Sequence, residues 1–213
     1  MKTNTLHIVA LNIPYPTNYG GAIDIFYKVK ALSELGIRIH LHCFEYGRAK
    51  AEILNTLCET VNYYSREMHW KNLFSKTPFI VQSRTSEKLL QNLISINAPI
   101  LFEGLHCCYY LNHPLLKDRT QFVRAHNIES DYYKLLAKSE TKLVNKLYLF
   151  TEYLKIKSFE KRLSNSDGVF SISNKDQTQL SKTCKSHLIR AFHPDSTILS
   201  KTGLGEYAIY HGN

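Results

Sequence analysis

Polar and small residues stand directly after several segments of this 213-residue chain that have the apolar pattern of β-strands. In a parallel sheet, ligands bind beyond the carboxyl ends of the strands, so a site would be built from these residues. They are Gly20, Gly21, Glu103, His106, His126, Asn127, Ser171 and Ser173. Carboxylate, imidazole, amide and hydroxyl groups that converge in this way can bind and orient a polar substrate.

Gly20 and Gly21 lie between an apolar run at residues 6–11 and a helical pattern that begins at Ala22. Glycine has no Cβ atom to obstruct a ligand, and the first N–H groups of a helix point outward at its positive dipole end. The loop therefore predicts a site for an anion. The alternative is a tight turn without a ligand, and the loop matches neither G-x-G-x-x-G nor the P-loop motif.

Several other candidates also have purely structural explanations. His106 could be a hydrogen-bonded histidine of the core, and Glu103 could pair with a neighbouring cation. Ser173 and Asp176 have the spacing of a helix capping box, which is the interpretation we prefer for Ser173. Arg124 is expected to face the side of its strand opposite to His126, so it is left out of the site.

Strand and helix patterns alternate along the chain. Strands are predicted at 6–11, 37–44, 61–64, 98–105, 121–126, 167–173 and 187–192, and helices at 22–35, 49–58, 86–96 and 130–163. The strand at 37–44 alternates apolar residues with Arg38, His40 and His42, as a half-buried strand does. Residues 66–82 show no clear period and are predicted as a surface excursion. The alternation predicts an α/β fold with a Rossmann-like, doubly wound, mostly parallel sheet and helices on both faces.

Composition excludes several classes of protein. The net charge of +9 favours anionic partners, but no zinc finger, RRM signature or basic zipper is present, so no nucleic-acid partner is expected. The five cysteines include no C-x-x-C pair, which indicates buried thiols rather than a zinc site or disulfides. No apolar run approaches the ~18 residues of a membrane span, and the chain does not begin with a signal peptide, so a cytoplasmic location is expected.

Five segments, taken in order, carry a family resemblance. They are IPYPTNYGGA with the LG and IHLHCF that follow it, ILFEGLH, VRAHNIESDYY, DGVFSISNKD and EYAIYHGN. Together they resemble the N-terminal half of a GT-B glycosyltransferase of the GT4 type, in particular bacterial mannosyltransferase-like proteins. The resemblance implies that residues 1–194 form a Rossmann-like acceptor-binding domain. Residues 195–213 would then be a linker and the first strand, at Tyr207–His211, of a nucleotide-sugar-binding domain.

The resemblance also implies an activity. It is the retaining transfer of a hexose such as mannose, from GDP-mannose or a UDP-sugar, to a glycan or lipid-linked acceptor in cell-surface polysaccharide synthesis. No cofactor is expected, and the 213-residue chain alone would be inactive. The nearest string to a D-x-D motif is Glu129-Ser130-Asp131, so no metal is expected either.

Roles for single residues follow from their positions in the family pattern. His126 would be the catalytic residue beside the transferred sugar, where an imidazole can hydrogen-bond a hydroxyl or stabilise developing charge. The backbone N–H groups of the glycine loop would face the donor diphosphate or an acceptor phosphate. The residues expected to bind substrate or phosphate are Gly20, Gly21, Glu103, His106, Asn127 and Ser173.

Two alternatives stay open at this point. A non-catalytic doubly wound module that binds an anionic ligand or a protein partner is the alternative to an enzyme. In the predicted helix at 130–163, basic residues recur every fourth position and would face an anionic membrane surface at the inner side of the cell membrane. The alternative is a solvated helix face. These basic residues are Lys134, Lys138, Lys142 and Lys146.

Overall fold

The computed structural model describes residues 4–195 and residue 203. Its strands are β1 (Thr5–Ala10), β2 (Arg38–Glu45), β3 (Thr60–Ser65), β4 (Ile100–Glu103), β5 (Gln121–Ala125), β6 (Gly168–Ser171) and β7 (Ser186–Leu188). They form one parallel sheet in the order β3-β2-β1-β4-β5-β6-β7. The seven predicted strands and the predicted α/β class are confirmed. The strand expected at Tyr207–His211 lies outside the described residues.

The helices are α1 (Gly20–Glu34), α2 (Ile53–Leu57), α3 (Phe79–Gln82), α4 (Glu87–Ser95), α5 (Glu129–Ser139), α6 (Leu143–Phe159) and α7 (Asn174–Leu180). Short 3₁₀ segments lie at Trp70–Phe74, Leu105–Tyr110, Pro114–Leu116 and Glu160–Asn165. Within the described ranges, no helix is both long enough and apolar enough to cross a membrane.

The prediction of one long helix at 130–163 is wrong. The chain becomes extended at Glu140 and at Lys142, so α5 and α6 are separate helices that pack against each other. The Glu140 carboxylate accepts the backbone N–H groups of Thr141 and Lys142, each at 2.9 Å. These bonds satisfy backbone donors in the connection between the two helices, as capping side chains do elsewhere.

Helices cover both faces of the sheet. Adjacent residues of β1 enter opposite cores: Ile8 packs with α1 residues such as Ile25 and Val29, whereas Val9 packs with Leu89 and Leu93 of α4. Side chains of a strand alternate between its faces, so this division is what a doubly wound sheet requires. The carboxyl edge of the sheet is thus the part of the domain available to a ligand.

The half-buried pattern expected for β2 is not observed, because its histidines are buried as well. His42 Nε2 lies 3.0 Å from His7 Nδ1, and His42 Nδ1 lies 2.8 Å from the Tyr64 hydroxyl. Burial lowers the pKa of His42 to about 3, with help from the nearby charges of His7 and His40. Burial likewise lowers the pKa of His7 to about 4, although its bond to the Ile96 carbonyl opposes the shift.

This histidine cluster should make the fold sensitive to acid. A histidine in the unfolded chain has a pKa of about 6.5. Below that pH, His7 and His42 are protonated in the unfolded chain but stay neutral in the folded protein. The contribution of these histidines to the free energy of unfolding should therefore be constant above pH 7 and fall as the pH is lowered from about 6.5 towards 4. By pH 5 we expect a loss of about 2 kcal/mol for each of His7 and His42.

Urea unfolding of the wild type and of His42→Gln, at pH 7.5 and pH 5, measures this effect. Glutamine keeps hydrogen-bonding groups at the position but does not titrate, so the variant should lose less stability between the two pH values. Exposed His187, replaced by glutamine, is the matched control and should leave the pH dependence as it is. Equal pH dependence in all three proteins would contradict the assignment to the buried cluster.

Candidate active site

Five charged or titratable side chains meet at the carboxyl edge of the sheet. Glu103 ends β4, Arg124 lies in β5 and His126 follows it, while Asp24 and Lys28 come from α1. The Lys28 ammonium bridges the two carboxylates, with Nζ 3.0 Å from Asp24 Oδ2 and 2.9 Å from Glu103 Oε1. Asp24, Lys28, Glu103 and Arg124 are buried, and His126 is the member whose ring is partly exposed. We call these five residues the charge cluster.

Arg124 holds the cluster to the last part of the described chain. Its guanidinium donates to both Asp24 carboxylate oxygens, at 3.0 and 2.8 Å, and to the backbone carbonyls of Ile189 and Arg190. The Phe192 N–H donates to Asp24 Oδ1 at 2.8 Å. The expectation that Arg124 faces away from His126 is wrong, because residues two apart on a strand point to the same face.

The cluster keeps both of its carboxylates ionised. Burial by itself would raise the pKa of Asp24, but the hydrogen bonds from Arg124 and the charge of Lys28 outweigh burial and hold that pKa well below its usual range. Burial would also raise the pKa of Glu103, and the charge of Lys28 together with the His126 hydrogen bond lowers it instead. Two carboxylates facing one ammonium and one guanidinium group form an internally paired set next to the His126 ring.

The His126 ring is oriented by the two carboxylates. Its Nε2 lies 3.2 Å from Glu103 Oε2, while Nδ1 is 4.0 Å from Asp24 Oδ2. Since a carboxylate can only accept, this hydrogen-bond network assigns the proton of a neutral ring to Nε2. Nδ1 is then free to accept a hydrogen bond or a proton from a substrate hydroxyl. A carboxylate behind an imidazole fixes its tautomer and orientation in the same way in many sites.

Asp24, Glu103 and His126 offer ligand atoms that all lie within 4.8 Å of one another, a spacing that could hold a metal ion. The carboxylate oxygens are already bonded to Lys28 and Arg124. A divalent cation would have to displace the Lys28 ammonium and would be repelled by Arg124. The donor set is therefore poorly suited to a metal and well suited to positioning an imidazole.

His106 does not belong to the charge cluster, although it is near enough to feel the charge of His126. Its Nδ1 makes no hydrogen bond and is 3.7 Å from Glu129 Oε1. Burial lowers the pKa of His106 well below its usual value, and the charges of Arg84 and His126 act in the same direction. Burial raises the pKa of Glu129 to about 7, and repulsion from Glu160 adds to the shift. His106 and Glu129 thus form a second titratable pair, of which the sequence indicated only His106.

Gly20 and Gly21 are the first two residues of α1, whereas the sequence predicted them in the loop before a helix that begins at Ala22. The two glycines differ in their surroundings. Gly20 is exposed, and a Cβ atom there would meet nothing within 4 Å. A Cβ atom on Gly21 would lie 2.9 Å from the Tyr19 ring, whose face also carries the Arg48 guanidinium. Packing against Tyr19 therefore explains glycine at position 21, whereas Gly20 leaves open space in front of the helix N-terminus, where an anion can approach.

The two remaining candidates stand apart from the charge cluster. Asn127 is exposed next to His126. Ser173 caps α7, accepting the N–H of Asp176 at 3.1 Å and donating to its carboxylate at 2.8 Å. The preferred capping interpretation of Ser173 is confirmed. Substrate binding by either residue stays a prediction.

No protein-family model matches the chain. Among curated proteins, an uncharacterized 44.6 kDa protein in the cps region of Klebsiella pneumoniae is 26% identical over 176 residues. The match covers 80% of this chain and 45% of that protein, so this chain spans less than half the length of the relative.

Several glycosyltransferases of known structure are similar in fold to this chain. Sucrose-phosphate synthase from Thermosynechococcus elongatus matches with a TM-score of 0.51 and 13% identity, over 87% of this chain and 47% of its own. UGT71G1 of Medicago truncatula, complexed with UDP-glucose, matches with a TM-score of 0.52 and 12% identity, over 87% of this chain and 51% of its own. UGT2 of Phytolacca americana, complexed with UDP-2fluoro-glucose and pterostilbene, matches with a TM-score of 0.50 and 11% identity, over 92% of this chain and 56% of its own. The chain has the Rossmann-like fold of the GT-B glycosyltransferases.

The charge cluster should contribute strongly to stability. Asp24→Asn leaves Arg124 and Lys28 buried with one carboxylate fewer, so we expect a loss of about 3–5 kcal/mol in the free energy of unfolding. Glu34→Gln on the same helix removes an exposed pair with Lys30 and should cost at most about 0.5 kcal/mol. Urea unfolding at neutral pH measures both. A loss below about 1 kcal/mol for Asp24→Asn would show that the ion pairs of Asp24 contribute no more to stability than exposed ion pairs do.

Gly20 offers a test of the anion site that spares the fold. Gly20→Val places a β-branched side chain in the open space before α1, so the fold should persist while diphosphate binding weakens by about tenfold or more. Calorimetry with UDP, GDP and inorganic pyrophosphate measures the change, and Gly20→Ala should be intermediate. Gly21→Val would also displace the Tyr19 ring, so its effect would be mixed. Unchanged affinity in folded Gly20→Val would leave the loop as a turn.

Proposed function

We propose that this chain is the acceptor-binding half of a retaining, metal-independent glycosyltransferase. The enzyme would move a hexose from a nucleotide-sugar to a glycan or lipid-linked acceptor in cell-surface polysaccharide synthesis. The observation that carries the proposal is the partly exposed His126 imidazole, which Glu103 orients at the carboxyl edge of a GT-B sheet. The retaining outcome and the pathway rest on the resemblance to GT4 proteins.

A nucleotide-sugar donor suits both the glycine loop and the fold. The N-terminus of α1 at Gly20 presents free N–H groups to open space, where the diphosphate of a donor could accept them. Two of the similar structures hold a UDP-sugar, which supports a UDP-sugar donor for this chain. GDP-mannose is supported by the resemblance to mannosyltransferase-like proteins.

His126 would act on the sugar or on the acceptor hydroxyl. With Nε2 held by Glu103, Nδ1 can accept a hydrogen bond from a hydroxyl and direct it at the reacting carbon. A protonated ring would instead stabilise negative charge on the leaving oxygens. In either state the charge cluster fixes the ring before substrate binds, and such preorganisation is the main source of electrostatic catalysis.

The complete reaction needs more than the residues described. This chain spans about half the length of the glycosyltransferases that it resembles in structure, and a donor must be held against its acceptor for the two to react quickly. We therefore expect the 213-residue chain by itself to transfer no sugar. A lipid-linked acceptor would place the enzyme at the cytoplasmic face of a membrane.

His126→Ala in the natural full-length protein tests the proposed role. If the ring acts in the transition state, kcat should fall by about 100-fold or more while KM changes little. Release of nucleoside diphosphate and labelled sugar in the acceptor measure turnover, with UDP-sugars and GDP-mannose as donors. His187→Ala is the matched control, because that histidine is exposed on β7.

Two other outcomes would redirect the proposal. An effect on KM alone would assign His126 to ground-state binding of substrate. Diphosphate binding without turnover of any donor, in a folded full-length protein, would instead favour the non-catalytic module that binds an anionic ligand.

A further inference from the structure

The first half of α6 exposes several large apolar side chains to solvent. Leu143 is 82% exposed, Val144 81% and Leu147 65%. The buried residues of this helix, such as Ile156 and Phe159, all belong to its second half. A run of large exposed aliphatic residues marks an interaction surface, whereas isolated ones are normal. We call Leu143, Val144 and Leu147 the apolar patch.

An aromatic segment lies beside the same helix. The 3₁₀ segment Trp70–Phe74 is held to α6 by Lys155, whose Nζ donates to the Leu73 carbonyl at 2.6 Å. Trp70 is 67% exposed and Phe74 80%, and their rings pack edge to face. Tryptophan is the side chain most enriched at the boundary between lipid and water, because its ring is amphipathic.

Lysines surround a groove between α5 and α6. The groove has a volume of about 500 Å³; its floor includes Leu147 and Phe150, and its edge carries Lys134, Lys138 and Lys146. We call these three the rim lysines. Within the part of the chain that the structure describes, none of them forms an ion pair. The acid nearest in sequence to Lys138 is Glu140, whose carboxylate accepts backbone N–H groups instead. The acid nearest to Lys134 is Asp131, whose carboxylate accepts a hydrogen bond from Gln179.

We propose that the α5–α6 hairpin docks this protein onto an anionic lipid bilayer, with the apolar patch entering the interface and the rim lysines binding lipid phosphates. An amphipathic surface of apolar side chains bordered by lysines binds such bilayers in two ways together. Its apolar side chains are buried in the interface, and its lysines are attracted to the anionic lipid. The arrangement differs from the basic strip expected on one long helix, because the lysines come from two helices and flank an apolar groove.

A second copy of this chain fits the surface less well. A symmetric pairing of the hairpin would bring two sets of rim lysines together, and like charges at close range repel. A bilayer supplies many phosphates along with the hydrocarbon that the apolar patch requires. The occupant that complements both features is therefore an anionic membrane.

The hairpin lies next to the candidate active site. Helix α5 begins at Glu129, three residues after His126, and its 11 residues span about 16 Å, so the docked hairpin would place His126 at a distance of this order from the lipid phosphates. This deepens the proposed function, since it names the surface on which a lipid-linked acceptor would be met. Vesicle binding involves no sugar chemistry, so the docking and the activity can fail independently.

Vesicle flotation and the fluorescence of Trp70, which is the single tryptophan of the chain, test the docking. Vesicles of phosphatidylcholine alone are compared with vesicles that also contain phosphatidylglycerol, at low and high salt. We expect binding that requires the anionic lipid, with a blue shift of Trp70 emission. Because apolar contacts are not screened, part of the binding should survive salt. Equal recovery with both kinds of vesicle would overturn the proposal.

Two sets of substitutions separate the contributions. Replacing the three rim lysines by glutamine should weaken binding to anionic vesicles by roughly a hundredfold. Leu143→Ser with Leu147→Ser should remove the salt-resistant part and weaken binding about tenfold or more. Leu35→Ser, at an exposed leucine after α1, is the matched control and should bind as the wild type does.

Three further results would overturn the proposal. They are binding that the hairpin substitutions leave unchanged, Trp70 emission that does not shift on vesicles, and a dimer in sedimentation that Leu143→Ser abolishes. The last would assign the surface to a second copy of the chain. Circular dichroism of each variant serves as the control that a loss of vesicle binding is not caused by unfolding.

Discussion

The pairing of two buried carboxylates with two buried cations is the constraint on which the rest of this structure depends. Lys28 joins Asp24 to Glu103, and Arg124 joins Asp24 to the backbone that follows β7. These contacts tie α1, two central strands and the end of the described chain to one point. Removing any one charge would leave its partner unpaired in a medium of low dielectric constant, which is far costlier than losing a surface pair. The arrangement also orients the His126 ring, through its contact with Glu103.

Most of the fold could be predicted from the sequence, because apolar periodicity reports directly on which faces are buried. Each of the seven strands predicted between residues 6 and 192 was found, and the alternation of strands and helices led to a parallel sheet. The failures have physical causes. His40 and His42 look like solvent-facing residues by type, yet they are buried as a hydrogen-bonded group, and residue type cannot show such pairing. The helix break at Glu140 depends on a local side-chain cap and not on periodicity.

The site was predictable only in part. Glu103 and His126 follow strands, and the topology of a parallel sheet places them together. Asp24 and Lys28 were not predicted, because apolar periodicity locates the buried face of α1 and does not show that charged residues share it. Their spacing of four residues was the available signal, since it puts both on one side of the helix. Arg124 could also have been predicted as a site residue, because it lies two residues from His126 and so faces the same side of the strand. The contact of the backbone after β7 with Asp24 joins residues 168 positions apart and could not be inferred from any local pattern.

The central claim is that substrate chemistry takes place at the His126 ring above the charge cluster. Nuclear magnetic resonance of the full-length protein with labelled histidine rings tests it directly, by titration with a UDP-sugar or GDP-mannose together with an acceptor. The ring signals of His126 should shift with saturable dependence on ligand, and those of His7 and His42, buried elsewhere under α4, should stay fixed. Saturable binding that moves other histidines and leaves His126 unchanged would contradict the account.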